Sequence, residues 1–325
     1  MQTIYTKNEL HLGDNVYCLI MFSKITDYLE TNNIKLNHYC DAQHINQIKD
    51  FVTSENINIL PLTEIPGDVK VYNIWVGSAD YENNWYNSLE KSTIPGMYSE
   101  QYFDKFLCRF YNNVLKTMNV PVVFDEFIFD DDRTLNDLIV RRKNINEKFN
   151  NKYENIDVLI VNGAPQSGQY NYNEKLWDTN LILLSKKYNV VTTKKVEGII
   201  CTRDDDLSAK DIAAVSTNAK KIIAIDSGVS LGLFNKHTIQ NAEIIYYLCD
   251  GLRCTCSFPN FDSTKNIEEI TSLILSDKKE SFTNYHLHNY SLIYLLFLVL
   301  FILIVWIKRE FIYNGFVRFK KFMKN

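Results

Sequence analysis

Two short motifs place a carboxylate where chemistry is possible. The first, His11-Leu12-Gly13-Asp14, follows the strand-like segment TIYT and leads into an apolar-periodic helix. Asp14 is therefore predicted at or near a helix N-terminus and at the carboxyl end of a strand, where open α/β folds bind ligands. A carboxylate in this position either caps the helix, by accepting its free amide hydrogens, or takes part in catalysis. Position alone leaves both interpretations open.

The second motif is Asp226-Ser227-Gly228, within the segment KKIIAIDSGVSLGLF. An apolar strand leads into it, and a helix-like segment follows. The small Ser and Gly residues allow backbone amides at the start of that helix to approach a phosphate group. A plain strand-to-helix turn explains the three residues about as well, so this motif alone does not define a function.

Alternating strand and helix patterns surround both motifs. In the first half the strand-like segments IKLNHYC, INILPL and VKVYNIWV alternate with helical patterns, and in the second half DVLIV, NVVTT, GIICT, KIIAIDSG and AEIIYYL do the same. This rhythm is typical of βαβ units stacked into parallel sheets. The polar residues 130–153 separate the two halves. The sequence thus predicts two α/β halves that face one another across a linker, with ligands bound in the cleft between them.

In combination, the motifs and their order resemble a known family. The chain shows Gly-Asp near its N-terminus, a helix, a second half opening with a strand and loop, a Trp-bearing helix at 175–188, and the block DLSAKDIAAVSTNAKKIIAIDSG. This order is similar to that of the heptosyltransferase-like family-nine glycosyltransferases. The resemblance covers about residues 1–250 and is most specific over residues 207–228.

The resemblance implies a GT-B architecture of two Rossmann-like domains. Residues 1–152 would form the acceptor domain and residues 153–285 the nucleotide-sugar donor domain. The implied reaction is an inverting, metal-independent transfer of a hexosyl or heptosyl group to a glycan, lipid or protein acceptor. The nucleotide-sugar serves as substrate, and no cofactor is implied.

Site roles follow from the same resemblance. Asp14 matches the carboxylate that acts as base on the acceptor hydroxyl, and Gly13 gives it close backbone clearance. Asp226 would face the donor sugar, while Ser227 and Gly228 would offer amides to the diphosphate. A base at the incoming hydroxyl and amide dipoles at the leaving phosphate lower the barrier at opposite ends of an oxocarbenium-like transition state.

Two other classes of function stay open. The family usually places a His a few positions after D-S-G, whereas here VSLG follows at residues 229–232 and the next histidine is His237. This departure favours the alternative of a catalytically inactive, membrane-anchored binding or scaffold protein with the same fold. A third class, a sugar-nucleotide epimerase, would need an acid/base pair, for which Glu197 and residues 204–206 are loose candidates.

Several further groups have simpler explanations than catalysis. The acidic triplets at 130–132 and 204–206 are similar to the metal-binding D-x-D signature of another glycosyltransferase class, but each precedes a helical pattern, which favours helix capping. His11, His38, His44 and His237 lack the paired spacing of metal ligands. Cys18 and Cys201 lie in apolar runs, which indicates inert buried thiols. The aromatic cluster Trp75, Tyr81, Trp85, Tyr86 and Tyr98 is interpreted as core or lid packing, with sugar stacking as the alternative.

Composition and hydropathy set the remaining limits. The net charge of −4 and pI near 5.9 argue against a nucleic-acid partner. Residues 290–308 include sixteen uncharged residues, LIYLLFLVLFILIVWI, and predict a single transmembrane helix near the C-terminus. Residues 309–325 predict a basic amphipathic tail that lies against membrane lipids. The N-terminus lacks a signal-peptide pattern, and the odd, scattered cysteines indicate reduced thiols, so the body is predicted to be cytosolic.

Overall fold

The structure is a computed structural model that describes residues 2–90, 102–165, 168–250 and 255–276. The predicted transmembrane helix at 290–308 and the basic tail at 309–325 lie outside the described residues. Within the described ranges, each helix is too short or too polar to span a bilayer. One compact unit, Met1–Asp277, contains both of the sheets described below.

The described residues form two sheets whose neighbouring strands are all parallel. The strands are β1 (Gln2–Asn8), β2 (Ile34–Cys40), β3 (Ile57–Pro61), β4 (Val71–Asn73), β5 (Ile156–Val161), β6 (Val190–Thr192), β7 (Ile200–Cys201), β8 (Ala219–Ile225), β9 (Ile244–Leu248) and β10 (Phe261–Asp262). The first sheet has the order β3-β2-β1-β4 and the second the order β10-β9-β8-β5-β6-β7. The structure therefore confirms the predicted α/β class with two parallel sheets.

Helices connect the strands of both sheets. They are α1 (Leu12–Thr31), α2 (Ile45–Lys49), α3 (Trp85–Glu90), α4 (Phe103–Thr117), α5 (Asp132–Lys148), α6 (Glu174–Ser185), α7 (Ala209–Ser216), α8 (Lys236–Asn241) and α9 (Ile267–Leu275). We call the first sheet with α1–α4 the first lobe, and the second sheet with α5–α9 the second lobe.

Strand order in each sheet reverses at one position, and ligands of such sheets bind beside that reversal. In the first sheet β1 lies between β2 and β4, so the order switches direction beside β1. In the second sheet the switch falls between the adjacent strands β5 and β8. The chain segments that leave β1, β4, β5 and β8 are thus the expected positions for a site.

The segment between the halves is mostly helical. The helical pattern predicted after the first acidic triplet forms helix α5 at residues 132–148, whose apolar Leu135, Leu138 and Ile145 are buried, so residues 130–153 are more than a polar linker. The side chain of Asp131 accepts a hydrogen bond from the Thr134 amide at 2.8 Å, which confirms the capping interpretation of the first acidic triplet. A polar sequence formed a helix because a narrow apolar stripe is enough to fix it against the second lobe.

Helix α5 also connects the lobes through a charged network. The Arg141 guanidinium donates to both carboxylate oxygens of Asp50 in the first lobe, at 2.8 and 3.0 Å, and to Asp211 of α7 at 2.9 Å. The buried Lys210 donates to the backbone carbonyl of Asp50 at 2.5 Å. Phe51, the next residue, stacks on Phe129 with ring centroids 5.7 Å apart. The two lobes are therefore held together by apolar and polar contacts on this side.

Two glycines bring the lobes into backbone contact. A Cβ added at Gly228 of the second lobe would lie 3.0 Å from the Gly13 nitrogen and 3.1 Å from the Leu12 Cβ. A Cβ added at Gly13 would lie 3.3 Å from a Leu231 methyl carbon and 3.4 Å from the Gly228 Cα. Any larger residue at 228 thus has to separate the segments that follow β1 and β8.

We predict that Gly228→Ala lowers the free energy of unfolding by about 1–3 kcal/mol, because overpacking forces a backbone shift. Urea unfolding of the full-length chain measures this change. Gly67→Ala is the matched control, since a Cβ at Gly67 meets nothing within 4 Å. Equal stability of the two variants would contradict the close contact between the lobes.

Candidate active site

A cleft of about 1160 Å³ lies between the two lobes, where the carboxyl ends of their central strands meet. It is slightly larger than the ~300–1,000 Å³ typical of a small-molecule pocket. All of the predicted site residues line this cleft, namely Gly13, Asp14, Asp226, Ser227 and Gly228. Residues more than 200 positions apart in sequence are thereby brought together.

Asp14 lies in the first turn of α1 and is not its N-cap. The helix begins at Leu12, and His11 occupies the cap position without a side-chain hydrogen bond to the helix. The capping interpretation of Asp14 is therefore wrong. Its side chain instead faces the cleft, between His11 and the Trp75 indole, which follows β4.

Polar side chains fix the loop that carries Asp14. Asn8 donates to the Asp14 carbonyl at 3.1 Å, and its side-chain oxygen accepts from the Leu10 amide at 3.1 Å. Asn15 donates to the His11 carbonyl at 3.0 Å. Because these bonds come from the end of β1 and from α1 itself, the backbone on both sides of Asp14 has one defined position.

Buried His38 holds Asn15 in place. Its Nε2 lies 3.0 Å from Asn15 Oδ1, and its Nδ1 lies 3.0 Å from Thr6 Oγ1. Burial lowers the pKa of His38 to about 3, so the ring is neutral. Since the Asn15 amide nitrogen donates elsewhere, its oxygen accepts from Nε2–H, and Nδ1 accepts from the Thr6 hydroxyl. His38 is therefore a buried packing residue, in line with its lack of metal-ligand spacing in the sequence.

The electrostatic environment of Asp14 favours a base that titrates near neutrality. Burial raises the pKa of Asp14 from 3.8 to about 6. The charge of Asp226 acts in the same direction, while His11, the Asp14 backbone amide and a hydrogen bond with the Trp75 side chain lower the pKa. Asp14 is thus a carboxylate at neutral pH, and it is more basic than an exposed aspartate.

The D-S-G turn is held by residues of the second lobe. The Tyr247 hydroxyl donates to Asp226 Oδ1 at 2.8 Å and lies 3.1 Å from Ser230 Oγ. Ser230 Oγ donates to the Ser227 carbonyl at 2.7 Å and accepts from the Ser227 amide at 2.9 Å. The turn is therefore rigid, and a phosphate that approached the Ser227 amide would compete with Ser230 for it.

The loops after β5 and β6 form the other part of the second-lobe wall. Asn162 Oδ1 accepts from the amides of Thr193 and Lys194 at 3.1 and 2.8 Å, which ties these loops together. Gly163 has a φ of +129°, a value that favours glycine. Lys194 lines the cleft, with its Nζ 2.6 Å from Glu174 and 5.1 Å from the centroid of the Tyr172 ring. Sequence reasoning left Lys194 without a role, although it follows the end of a strand directly.

The second acidic triplet does not cap a helix. Residues Thr202–Asp205 form a 3-10 turn, and the N-cap of α7 is Ser208, in a capping box with Asp211. Asp205 instead pairs with Lys152 at 2.6 Å. Among the described residues, no group of His, Cys, Asp and Glu side chains is arranged to hold a metal ion.

Other predicted groups divide between core and cleft. Tyr81 is buried, in agreement with a packing role, whereas Trp75, Trp85 and Tyr86 line the cleft. Tyr98 lies outside the described residues. Burial raises the pKa of the Cys18 thiol to about 12, which confirms that it is inert. Cys201 is also a buried free thiol.

Two parallel sheets that face one cleft with their switch points define an α/β fold of GT-B type. Solved structures of glycosyltransferases share this arrangement. The E. coli heptosyltransferase WaaC with ADP aligns over 85% of this chain and 98% of its own, at 10% identity and a TM-score of 0.50. The same enzyme with ADP-2-deoxy-2-fluoro heptose aligns over 85% and 100%, at 10% identity and a TM-score of 0.51.

A family-nine glycosyl transferase from Veillonella parvula aligns over 87% of this chain and 91% of its own, at 14% identity and a TM-score of 0.46. No protein-family model matches the sequence, and no curated protein matches it. At identities this low the WaaC structures establish similarity of fold. The resemblance to heptosyltransferases is confirmed at that level.

We predict that Asp14→Asn stabilises the fold at high pH and not at low pH. Because the pKa of Asp14 is higher in the folded state, ionising this carboxyl destabilises the wild-type fold. This destabilisation is absent below the unfolded pKa of 3.8 and fully present above about 6. The variant should gain up to roughly 3 kcal/mol at about pH 8 and nothing at about pH 4. Urea unfolding across this pH range measures the difference.

Asp68→Asn provides the control, because Asp68 is exposed and is not among the residues that line the cleft. Its effect on stability should be small and independent of pH over the same range. A pH-independent effect of Asp14→Asn would contradict the burial of a charged carboxylate in the cleft.

Proposed function

We propose that this chain is an inverting glycosyltransferase that moves a sugar from a nucleotide-sugar donor to an acceptor hydroxyl, without a metal ion and while attached to a membrane. One observation carries the proposal: Asp14 of the first lobe and the D-S-G turn of the second lobe line the same cleft, with Gly13 and Gly228 in contact. In the proposed reaction the first lobe supplies the base, Asp14, and the second lobe supplies groups that bind the donor, among them Asp226.

In the proposed reaction Asp14 accepts the proton of the acceptor hydroxyl. The oxygen attacks the anomeric carbon, and the bond from that carbon to the diphosphate breaks, so the nucleoside diphosphate leaves with the electron pair. Attack from the face opposite the leaving group inverts the anomeric centre. The raised pKa of Asp14 supports this role, since a base with a pKa near the working pH combines ionisation with proton affinity.

The second lobe is suited to the leaving group. Lys194 and Arg203 bring positive charge to the wall that also holds Gly163 and Gly228. Positive side chains and backbone amides stabilise the charge that develops on a departing diphosphate. Asp226, held by Tyr247, is proposed to hydrogen-bond the donor sugar. The E. coli heptosyltransferase structures contain ADP and an ADP-sugar, so ADP-linked sugars are the first donors to test.

Membrane attachment rests on sequence. The uncharged run within residues 290–308 is long enough to form a short transmembrane helix, and the basic residues after it suit an anionic lipid surface. We place the body of the protein in the cytosol and propose that the anchor keeps the cleft close to membrane-bound acceptors.

We predict that Asp14→Asn reduces sugar transfer by at least about 100-fold, because the amide cannot accept the proton. In the wild type, transfer should fall about tenfold per pH unit below about pH 6, as Asp14 becomes protonated. Nucleotide release from a panel of nucleotide-sugars measures both effects. Excess EDTA in the same assay tests whether transfer is independent of metal ions. Unchanged turnover by Asp14→Asn would remove this mechanism.

We also predict that a nucleoside diphosphate stabilises the chain. A ligand at about 100 times its Kd adds about 2.7 kcal/mol to the folded state, which gives a measurable rise in Tm with ADP, UDP or GDP. Lys194→Ala should weaken this rise, because its cation lines the cleft. The adjacent Lys195 also forms an ion pair, with Asp204, but is not among the residues that line the cleft, so Lys195→Ala should behave as the wild type. Absence of any nucleotide effect would contradict a donor site.

A further inference from the structure

The two walls of the cleft carry different kinds of side chain. The second-lobe wall carries charged groups of both signs, the cations Lys194 and Arg203 and the carboxylates of Asp206 and Asp226. The first-lobe wall, in the part that the structure describes, has no lysine or arginine among its lining residues. It presents instead the aromatic rings of Tyr17, Trp75, Trp85, Tyr86 and Phe103 and the amides of Gln43 and Gln47. A wall of rings and amides recognises an apolar face with hydroxyl groups around it.

Trp75 and Tyr86 form the accessible part of this wall, which we call the aromatic platform. Their rings meet edge to face, with centroids 6.2 Å apart and planes at 78°. Tyr86 is 56% exposed, and Trp75 is half-buried. An exposed aromatic ring inside a concave surface indicates a ligand that covers it.

The orientation of Trp75 is fixed by the residue two positions on. A Cβ at Gly77 would lie 2.5 Å from Cζ2 and Cη2 of the indole, so the ring rests directly on the glycine backbone. Its side chain also hydrogen-bonds with Asp14. A ring stacked on Trp75 would thus place its edge hydroxyls beside the proposed base.

Gln43 and Gln47 add side-chain amides that can hydrogen-bond the hydroxyl groups of a sugar. Gln43 and Gln47 are four residues apart at α2 and its preceding turn, and both are exposed on the cleft side. A side-chain amide donates and accepts hydrogen bonds, as a sugar hydroxyl does. A carboxylate or phosphate only accepts, so half of each amide would be left without a partner.

Charge disfavours an anionic ligand on this side. Asp14 and Asp226 both face the cleft, and the chain as a whole has a net charge of −4. Burial lowers the pKa of His44 and so favours its uncharged form. His11 lines the same wall and lowers the pKa of Asp14. An acidic group on the ligand would meet the carboxylates of Asp14 and Asp226, and the described first-lobe wall has no lysine or arginine to compensate the repulsion.

From this asymmetry we propose that the acceptor is a neutral saccharide, which stacks one sugar ring on the aromatic platform and hydrogen-bonds Gln43 and Gln47. The proposal rests on the proposed glycosyltransferase function and specifies its acceptor. Acidic glycans, which carry carboxylate, sulfate or phosphate groups, are the alternative that the experiment has to separate.

An array of immobilised neutral, carboxylated, sulfated and phosphorylated glycans tests this, probed with the detergent-solubilised full-length chain in the presence of ADP. We expect binding to neutral glycans, and signals about tenfold weaker for acidic glycans of the same backbone. Preference for acidic glycans, or no binding to any neutral glycan, would overturn the proposal.

Variants locate the binding. Tyr86→Ala should weaken neutral-glycan binding about tenfold, whereas Tyr86→Phe keeps the ring and should stay within about twofold of the wild type. Gln47→Lys should raise binding of acidic glycans by about tenfold, because it supplies the missing cation. Equal binding by Tyr86→Ala and the wild type would show that the saccharide binds elsewhere and would overturn the proposed role of the aromatic platform.

The nucleotide-induced rise in Tm distinguishes a failure of the neutral-acceptor proposal from a failure of the proposed glycosyltransferase function. If the rise is present and acidic glycans are preferred, the neutral-acceptor inference fails while the donor site stands. If neutral glycans bind through Tyr86 and neither nucleotide binding nor transfer is found, the saccharide site stands and the transferase function fails.

Discussion

Backbone contact between Gly13 and Gly228 is the constraint on which the cleft depends. Gly13 is next to Asp14, and Gly228 is two residues after Asp226. The contact between the glycines therefore also sets how near the two cleft-facing carboxylates come to each other. A side chain at Gly228 would have to displace the segment after β1 that carries Asp14. Because desolvation is the main cause of its raised pKa, the close contact and the basicity of Asp14 have a common origin.

Burial of the charged Asp14 carboxylate also destabilises the folded state, and the hydrogen bonds of the neighbouring polar residues offset part of this destabilisation. Asn8 and Asn15 hold the loop around Asp14, and neutral His38 holds Asn15. A charged His38 would leave Asn15 Oδ1 with its donor but would break the bond from Thr6, since both ring nitrogens would then donate. The depressed pKa of His38 therefore preserves the hydrogen bond from Thr6, which orients the ring that holds Asn15.

Sequence patterns predicted the elements and the two carboxylates, but not the partners of those carboxylates. Parallel strands have strong local signals, and a residue such as Asp226 directly after one must lie at the sheet's carboxyl edge. Tyr247 and Lys194 were missed because their roles depend on neighbouring strands in the sheet, which periodicity does not reveal. The triplet at 204–206 was misread because Ser208, two residues later, is the better cap.

The charge distribution across the cleft is consistent with the direction of the proposed reaction. A lysine or arginine beside Asp14 would lower its pKa and weaken it as a base, and the described first-lobe wall has neither. Negative charge develops on the leaving diphosphate at the other wall, where Lys194 and Arg203 lie. Keeping the cations on that side therefore stabilises the leaving group without neutralising the base. The same separation leaves the acceptor side suited to uncharged hydroxyl groups, so one arrangement of charge accounts for both the proposed base and the proposed acceptor.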